Sequence, residues 1–328
     1  MKNLKMARKE MNGLLAFFVI CKALLVLSGS CLGIVLSKIL TYVFGDGAPQ
    51  AYLEFGSYGS LSGLLLEICV FVLCLFVPIC LYFFFSRKKY TQTIPMEKPE
   101  FLQICFGVGT TVIIGNFAAS IGDTILAILF SIFGMEEKYY AMLQSDTAYP
   151  SNFWLIPLFV LVLAILPAFF EEIAMRGIGV SVTQKFGILF TLLFSGFFFA
   201  FMHSSWVQIP YAFVIGIVLS YFTLRFNTIW IAILSHFIFN FNSVVQCLIL
   251  QNAGVHADIL VILWAFLFMS LMTGLMIAGL IIYGIKRPNI PKSEYSWGET
   301  MKILFSSPFL YIFIVLEICQ LIYLLMIY

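Results

Sequence analysis

Long apolar stretches recur along the whole sequence, and they restrict the possible folds more than any other feature. Nine stretches of about 17 or more residues can be marked, at 13–43, 62–86, 101–134, 153–177, 187–203, 209–225, 228–250, 258–285 and 303–327. A helix needs about 20 apolar residues to cross the hydrocarbon core of a bilayer. The pattern therefore predicts an all-α, polytopic bundle of about eight or nine transmembrane helices. Breaks around the sixth stretch are short, so short helices or a re-entrant piece remain open there.

Composition supports the same fold class. Hydrophobic residues make up 62% of the sequence, charged residues make up 10%, and the mean hydropathy is +1.04. In soluble domains about 25% of residues are charged. The eight cysteines all fall inside apolar stretches without C-x-x-C spacing, so we interpret them as small buried hydrophobic residues and not as a disulfide framework.

The basic residues are distributed unevenly between the two sides of the predicted bundle. With the N-terminus inside, 15 of the 18 Lys and Arg residues, Arg176 included, fall in inner segments, and only Lys138 falls in an outer one. Cytoplasmic loops of membrane proteins carry such an excess. We therefore predict a cytoplasmic N-terminus, an uncleaved first helix, an odd number of spans and an outer C-terminus. This pattern fits a bacterial plasma membrane.

Two adjacent acids, Glu171 and Glu172, end the fourth apolar stretch. A charged side chain at membrane depth costs about 2.5–3.5 kcal/mol on insertion scales, so it usually has a partner or a function. Glu172 and Arg176 have the spacing and order that pair best along one helix face. Glu171 lies about 100° from Glu172 around the helix axis, so it faces a different neighbouring element. The alternative is a juxtamembrane ion pair, with Glu171 merely reaching towards water.

Other features of the apolar stretches bear on this acidic pair. Pro167 precedes it by one turn, where a proline kinks a helix, and a kink would let water approach Glu171. For Glu67, Asp123 and Glu317 we expect protonation or hydrogen bonds between helices, and Lys22 of the first helix is a candidate partner for Glu67.

Two of the three histidines lie at membrane depth. His203 ends the run 197–202, and His236 lies within the run 231–239, whereas His256 falls in a polar loop. On a helix, Asn240 shares the face of His236, and Phe199 packs one turn beneath His203. The acidic pair, His203, and His236 with Asn240 fall on three separate helices, and together they favour a shared site over isolated, packed histidines.

Groups of this kind suit hydrolysis. Peptide hydrolysis needs an activated water, an oxyanion stabiliser and an acid for the leaving amine. Glu171 can take a proton from water, and His236 with Asn240 can donate hydrogen bonds to an oxyanion. Alternatively, Glu171, His203 and His236 form a His2Glu set of the type that binds catalytic zinc, with His203 and His236 as candidate metal ligands. The residues alone leave both possibilities open.

The three motifs together resemble those of the CAAX protease and bacteriocin-processing (CPBP) family of intramembrane endopeptidases, also called the abortive-infection family. Its motifs E-E-x-x-x-R-G, F-x-x-x-H and H-x-x-x-N are matched in order by Glu171-Glu172...Arg176-Gly177, Phe199...His203 and His236...Asn240. The resemblance covers roughly residues 150–250. Met175 stands where an aromatic residue is expected, a departure that touches packing and not chemistry.

The resemblance implies a glutamate-dependent membrane protease with specific roles for the matched residues. The general base would be Glu171, and its supporting pair Glu172 and Arg176. His203 would be a partner of the water or of a metal, and the oxyanion side would hold His236 and Asn240.

We therefore predict N-terminal helices one to three at 1–150, a CPBP-like catalytic core of helices four to seven at 151–250, and helices eight and nine at 251–328. The expected substrate is a membrane-associated or amphipathic peptide, the expected cofactor is none or zinc, and we expect no nucleic-acid partner. Whether the substrate is prenylated stays open. The alternatives are a non-catalytic bacteriocin-immunity or scaffolding membrane protein and, less favoured without visible repeats, a proton-coupled transporter.

One inconsistency remains between these spans and a shared site. Glu171 lies near the inner end of the fourth span and His203 near the outer end of the fifth, which rises roughly 24 Å from Gly187. The two residues meet if the fourth helix continues past Arg176 towards Gln184, or if the fifth is offset and tilted. We expect the continuation, since 177–182 contains no charge. We also expect the site to open towards the inner surface.

Overall fold

The computed structural model describes residues 3–28, 59–87, 89–144, 152–203, 205–286 and 292–327, together with positions 35, 38, 39, 42, 150 and 288. Over this part of the chain the secondary structure is helical, apart from one isolated bridge between Met96 and Thr228. Eight of the helices found there are long and apolar enough to cross a membrane. The predicted all-α, polytopic bundle is therefore confirmed.

We number the helices of the described residues α1 to α11 in chain order. They are α1 Leu4–Leu27, α2 Leu61–Ser86, α3 Phe101–Ile132, α4 Glu136–Gln144, α5 Phe153–Phe186, α6 Ile188–Met202, α7 Gln208–Phe226, α8 Trp230–Asn252, α9 Gly254–Tyr283, α10 Trp297–Phe305 and α11 Pro308–Ile327. A single helical turn, Tyr90–Thr93, precedes α3. Most of the predicted first stretch beyond α1 lies outside the described residues.

Helix α5 is much longer than the stretch predicted at 153–177. It continues to Phe186, which confirms the predicted continuation past Arg176. Two π-helical turns, Leu161–Ile165 and Ile173–Gly179, widen it, and Pro167 follows the first of them. A proline lacks the N–H that an α-helical turn would use, so a wider turn accommodates it. Glu171 consequently lies about midway along α5, and its predicted place near the inner end is wrong.

Helix α6 folds back on α5 as a hairpin. Its 15 residues rise about 22 Å, less than the hydrocarbon core of about 30 Å. The connection is made at Gly187, whose φ of +98° and ψ of 160° are open to glycine and strained for other residues. The fifth predicted stretch is thus a short helix.

Helix α6 is surrounded by elements from both ends of the chain. Phe198 of α6 stacks on Phe18 of α1 at 4.8 Å between ring centroids and contacts Phe313 of α11 at 4.7 Å. On its other side α6 approaches α7 closely, since a Cβ atom at Gly216 would lie 2.8 Å from Cα of Gly196. The core of the molecule is therefore built around α6, which carries His203 at its end.

Some predicted placements of charged residues and cysteines are corrected. The Lys22 ammonium lies 2.8 Å from a carboxylate oxygen of Glu317, and not beside Glu67 as predicted. Arg176, counted among the bases of inner loops, is fully buried within α5. The cysteines of the described residues are free thiols, but Cys80 and Cys319 are exposed on the surface of the bundle, where lipid would cover them.

Candidate active site

Glu171 and His203 face each other across the α5–α6 hairpin. Each lies 16 residues from Gly187, on opposite sides of it, so an antiparallel pair of helices brings them to the same level. Nε2 of His203 is 4.0 Å from Oε2 of Glu171. Their side chains are 19% and 22% exposed, whereas those of Glu172, Arg176 and His236 are buried.

The end of α6 fixes the orientation of His203. Its Nδ1 lies 2.7 Å from the backbone carbonyl oxygen of Phe199, one turn earlier. A carbonyl oxygen only accepts hydrogen bonds, so Nδ1 carries a proton and donates it. In the neutral imidazole, Nε2 is then an unprotonated acceptor that points towards Glu171.

Glu172 is the centre of a buried polar network. Its Oε1 accepts a hydrogen bond from Nη1 of Arg176 at 2.9 Å, as the spacing of the two residues predicted. Nδ1 of His236 lies 2.9 Å from the same oxygen. Arg176 also donates from Nη2 to the carbonyl oxygen of Gly216 at 3.2 Å. The carboxylate therefore holds a cation on α5 and a histidine on α8 in a fixed relation.

Phe199 links the accessible pair to the buried network. The guanidinium carbon of Arg176 lies 4.3 Å from the centroid of its ring. The ring also meets His203 edge to face at 5.0 Å and His236 at 5.5 Å. The sequence predicted only the packing beneath His203. Its contacts with Arg176 and His236 depend on the tertiary structure, so no spacing rule indicated them.

Asn240 stands apart from these contacts. It lies one turn beyond His236 on α8 and is partly buried, and its side chain makes no hydrogen bond within the described part of the chain. Within that part, no three His, Cys, Asp or Glu side chains are grouped so that they could hold a metal ion. As arranged here, the predicted ligand set of Glu171, His203 and His236 therefore does not fit a zinc ion.

Two further groups contribute to this region and were not predicted from the sequence. The carbonyl oxygen of Gly216 accepts from Arg176, and Nζ of Lys22 donates to the carbonyl oxygen of Phe201 at 2.8 Å. Backbone acceptors have no sequence signal. Lys22 did have one, because a lysine inside an apolar helix needs a partner.

The family model for the type II CAAX prenyl endopeptidase Rce1-like family matches residues 152–242. We call this segment, which is similar to that family, the Rce1-like domain. It runs from the beginning of α5 into α8 and contains all six predicted site residues, in agreement with the resemblance to the CPBP and CAAX proteases. The Rce1-like match supports peptide hydrolysis within a membrane as the activity. No curated protein and no solved structure matches the chain.

Proposed function

We propose that this protein is an intramembrane endopeptidase in which Glu171 activates the attacking water. One observation carries the proposal: three motifs distant in sequence meet at one place, with Glu171 and His203 accessible and Glu172 fully buried between Arg176 and His236. A merely structural pair of acids does not require that one acid be accessible and the other buried. A catalytic site does, because its base must reach water while the groups that orient it stay fixed.

In the proposed mechanism, a water binds between the carboxylate of Glu171 and Nε2 of His203. A separation of 4.0 Å leaves one water within hydrogen-bond reach of both atoms. Glu171 takes the proton as the water attacks the peptide carbonyl, and later delivers it to the leaving amine. General base catalysis of this kind contributes about 10²–10⁴-fold to the rate.

The buried network supplies the electrostatic part of the mechanism. Glu172 accepts from Nδ1 of His236 and so directs Nε2 of the ring away from itself. When protonated, this imidazole donates a hydrogen bond to the oxyanion that forms during attack. We assign Asn240, one turn further along α8, as the second donor.

The substrate we propose is a membrane-associated peptide that enters from the cytoplasmic leaflet of a plasma membrane. The family description favours a prenylated C-terminal C-a-a-X sequence. An unmodified amphipathic peptide is the other substrate class to compare.

Replacing Glu171 by Gln tests the proposed base directly. The change keeps the shape and removes the proton acceptor, so we expect kcat to fall by about 10²–10⁴-fold while the protein folds normally. The assay uses the purified chain in lipid nanodiscs with a fluorogenic farnesylated C-a-a-X peptide and with an unmodified amphipathic peptide. Asp123→Asn, which alters another acid of the apolar helices, is the matched control and should keep activity.

The same variant separates the enzyme from the alternative function. If cleavage, or the cellular phenotype of the protein, persists in Glu171→Gln at normal protein levels, the endopeptidase proposal is wrong. A non-catalytic immunity or scaffolding protein would then be favoured.

We propose that hydrolysis needs no tightly held metal, because the base, the oxyanion donors and the orienting groups are all supplied by side chains. Metal analysis of the purified protein should therefore find much less than one zinc per chain, and a chelator should leave kcat unchanged. One equivalent of zinc that is lost in His203→Ala would contradict this expectation.

A further inference from the structure

Lys22 lies outside the Rce1-like domain, yet it contacts the segment that carries His203. It belongs to α1, and its side chain is fully buried. Nζ donates to the carbonyl oxygen of Phe201 at 2.8 Å and forms an ion pair with Glu317 of α11 at 2.8 Å. A single ammonium group thus joins α1 and α11 to the end of α6.

The hydrogen bond from Lys22 to the carbonyl of Phe201 lies at the C-terminal end of α6. The last four carbonyl groups of a helix have no partner within that helix. In α6, the carbonyl of Phe199 accepts from Nδ1 of His203, the carbonyl of Ala200 accepts from the backbone N–H of His203, and the carbonyl of Phe201 accepts from Lys22. A cation is also favoured at a helix C-terminus by the helix dipole. The two carbonyl groups that bind His203 are therefore followed directly in the chain by the carbonyl group that binds Lys22.

Helix α1 runs beside α6 with a charged contact near each end. Lys185, just before α6, pairs with Glu10, and Phe201, at the far end of α6, binds Lys22. The 12 residues from Glu10 to Lys22 rise about 18 Å, close to the length of α6. Both contacts join α1 to the domain, but only the second lies at the site.

We propose that Lys22, held by Glu317, is a positioning residue that fixes the C-terminal end of α6 and thereby sets His203 opposite Glu171. This inference rests on the proposed function of the site for its effect on activity. It assigns a role to helices outside the matched domain. His203 lies at the end of α6, and α1 and α11 hold that end in place.

A double substitution tests this role. Lys22→Met alone would leave the Glu317 carboxylate buried without its cation and would confuse positioning with folding. In Lys22→Met/Glu317→Met both charges are replaced by apolar side chains of similar size, a change that often leaves stability unaltered or raised. We therefore expect the double variant to fold and to lose only the donor to Phe201.

The matched control removes the other charged contact between α1 and the domain. Glu10→Met/Lys185→Met deletes an ion pair that also joins α1 to the domain, at the opposite end of α6. If Lys22 only attached α1 to the bundle, the two double variants would behave alike. If Lys22 positions His203, they differ.

Two measurements are made on full-length protein in lipid nanodiscs. With the farnesylated fluorogenic peptide, we expect kcat of Lys22→Met/Glu317→Met to fall about 10- to 100-fold with little change in KM, because a displacement near 1 Å of a catalytic group has an effect of that order. We expect kcat of the control to stay within about twofold of the parent, since the control changes no group that touches the site.

Hydrogen exchange measured by mass spectrometry provides a readout that does not depend on activity. In Lys22→Met/Glu317→Met, amide protection should fall over residues 200–203 and stay unchanged over α7, and in the control it should stay unchanged over both. Unchanged protection over 200–203, or an unchanged kcat, overturns the positioning role. If the parent protein cleaves neither peptide, the proposed function fails, whereas the exchange measurement still decides whether Lys22 orders the end of α6.

Discussion

Two neighbouring glutamates have different environments because a helix turns each residue by about 100° from the one before it. Glu172 faces the interior and is fully buried with Arg176 and His236, whereas Glu171 is 22% exposed and faces His203. The same residue type is therefore a fixed, buried charge at position 172 and an accessible carboxylate, our proposed base, at position 171.

This division predicts different outcomes for the same substitution at the two positions. Glu172→Gln leaves the Arg176 guanidinium buried without its counter-charge, which costs about 3–5 kcal/mol of folding stability. We expect its thermal unfolding temperature in detergent to fall clearly, together with activity, whereas Glu171→Gln should lose activity at an unchanged unfolding temperature. Glu172→Met/Arg176→Met is the control. It should recover stability without activity, and equal stability of Glu171→Gln and Glu172→Gln would contradict the assignment.

The sequence predicted part of this arrangement. The bond between Glu172 and Arg176 follows from helical spacing and was predicted, because it depends on one element only. The bond between Glu172 and His236 joins residues 64 positions apart, and it depends on how α5 packs against α8. For the same reason, the sequence placed His236 and Asn240 together on the oxyanion side without indicating that Glu172 fixes His236.

At the scale of elements, the α5–α6 hairpin determines which residues meet. Its register is set by Gly187, and the site lies equally far along both arms. The predicted continuation of the fourth helix was confirmed because the segment after Arg176 carries no charge that would end a buried helix. The π-helical turns of α5 were not predicted, since the positions and widths of such turns depend on packing around Pro167 and on neighbouring helices.

Gly187 offers a test of this hairpin. A side chain at φ +98° and ψ 160° costs about 1–3 kcal/mol, so Gly187→Ala should lower stability and shift the register of α6. We expect a loss of kcat beyond the loss of folded protein. Gly134→Ala is the control: it also has a positive φ, of +64°, but a Cβ atom there meets nothing within 4 Å. A kcat in Gly187→Ala equal to that in Gly134→Ala would show that the hairpin turn does not set the site.

At the scale of the whole molecule, the site residues lie at different depths, with Glu171 about midway along α5 and His236 nearer one end of α8. His236 is about 9 Å of helical rise from the beginning of α8 and about 24 Å from its end at Asn252. The connection between α7 and α8 is tied to the end of α9, because Arg225 donates hydrogen bonds to the carbonyl oxygens of Gly284 and Tyr283 at 2.7 Å. Arg225 and Lys286 thus place positive charge at the end of the bundle that is closer to His236.

The position of His236 near one end of α8 yields a prediction about access from the two sides of the membrane. Basic residues mark the cytoplasmic side of membrane proteins, so we propose that the site opens to the cytoplasm, at the end of the bundle closer to His236. Removing the buried Arg176 from the charge count leaves this bias in place, because Arg225 and Lys286 lie at helix ends.

We therefore expect a membrane-impermeant thiol reagent to label single cysteines at positions 171 and 203 from the cytoplasmic face only, in a background without the natural cysteines. Position 97, exposed before α3, is the cytoplasmic control, and position 137, exposed on α4, is the outer control. Labelling of 171 and 203 solely from the outer face would reverse the proposed direction of substrate entry, and labelling of 171 without 203 would separate the two groups that the α5–α6 hairpin brings together.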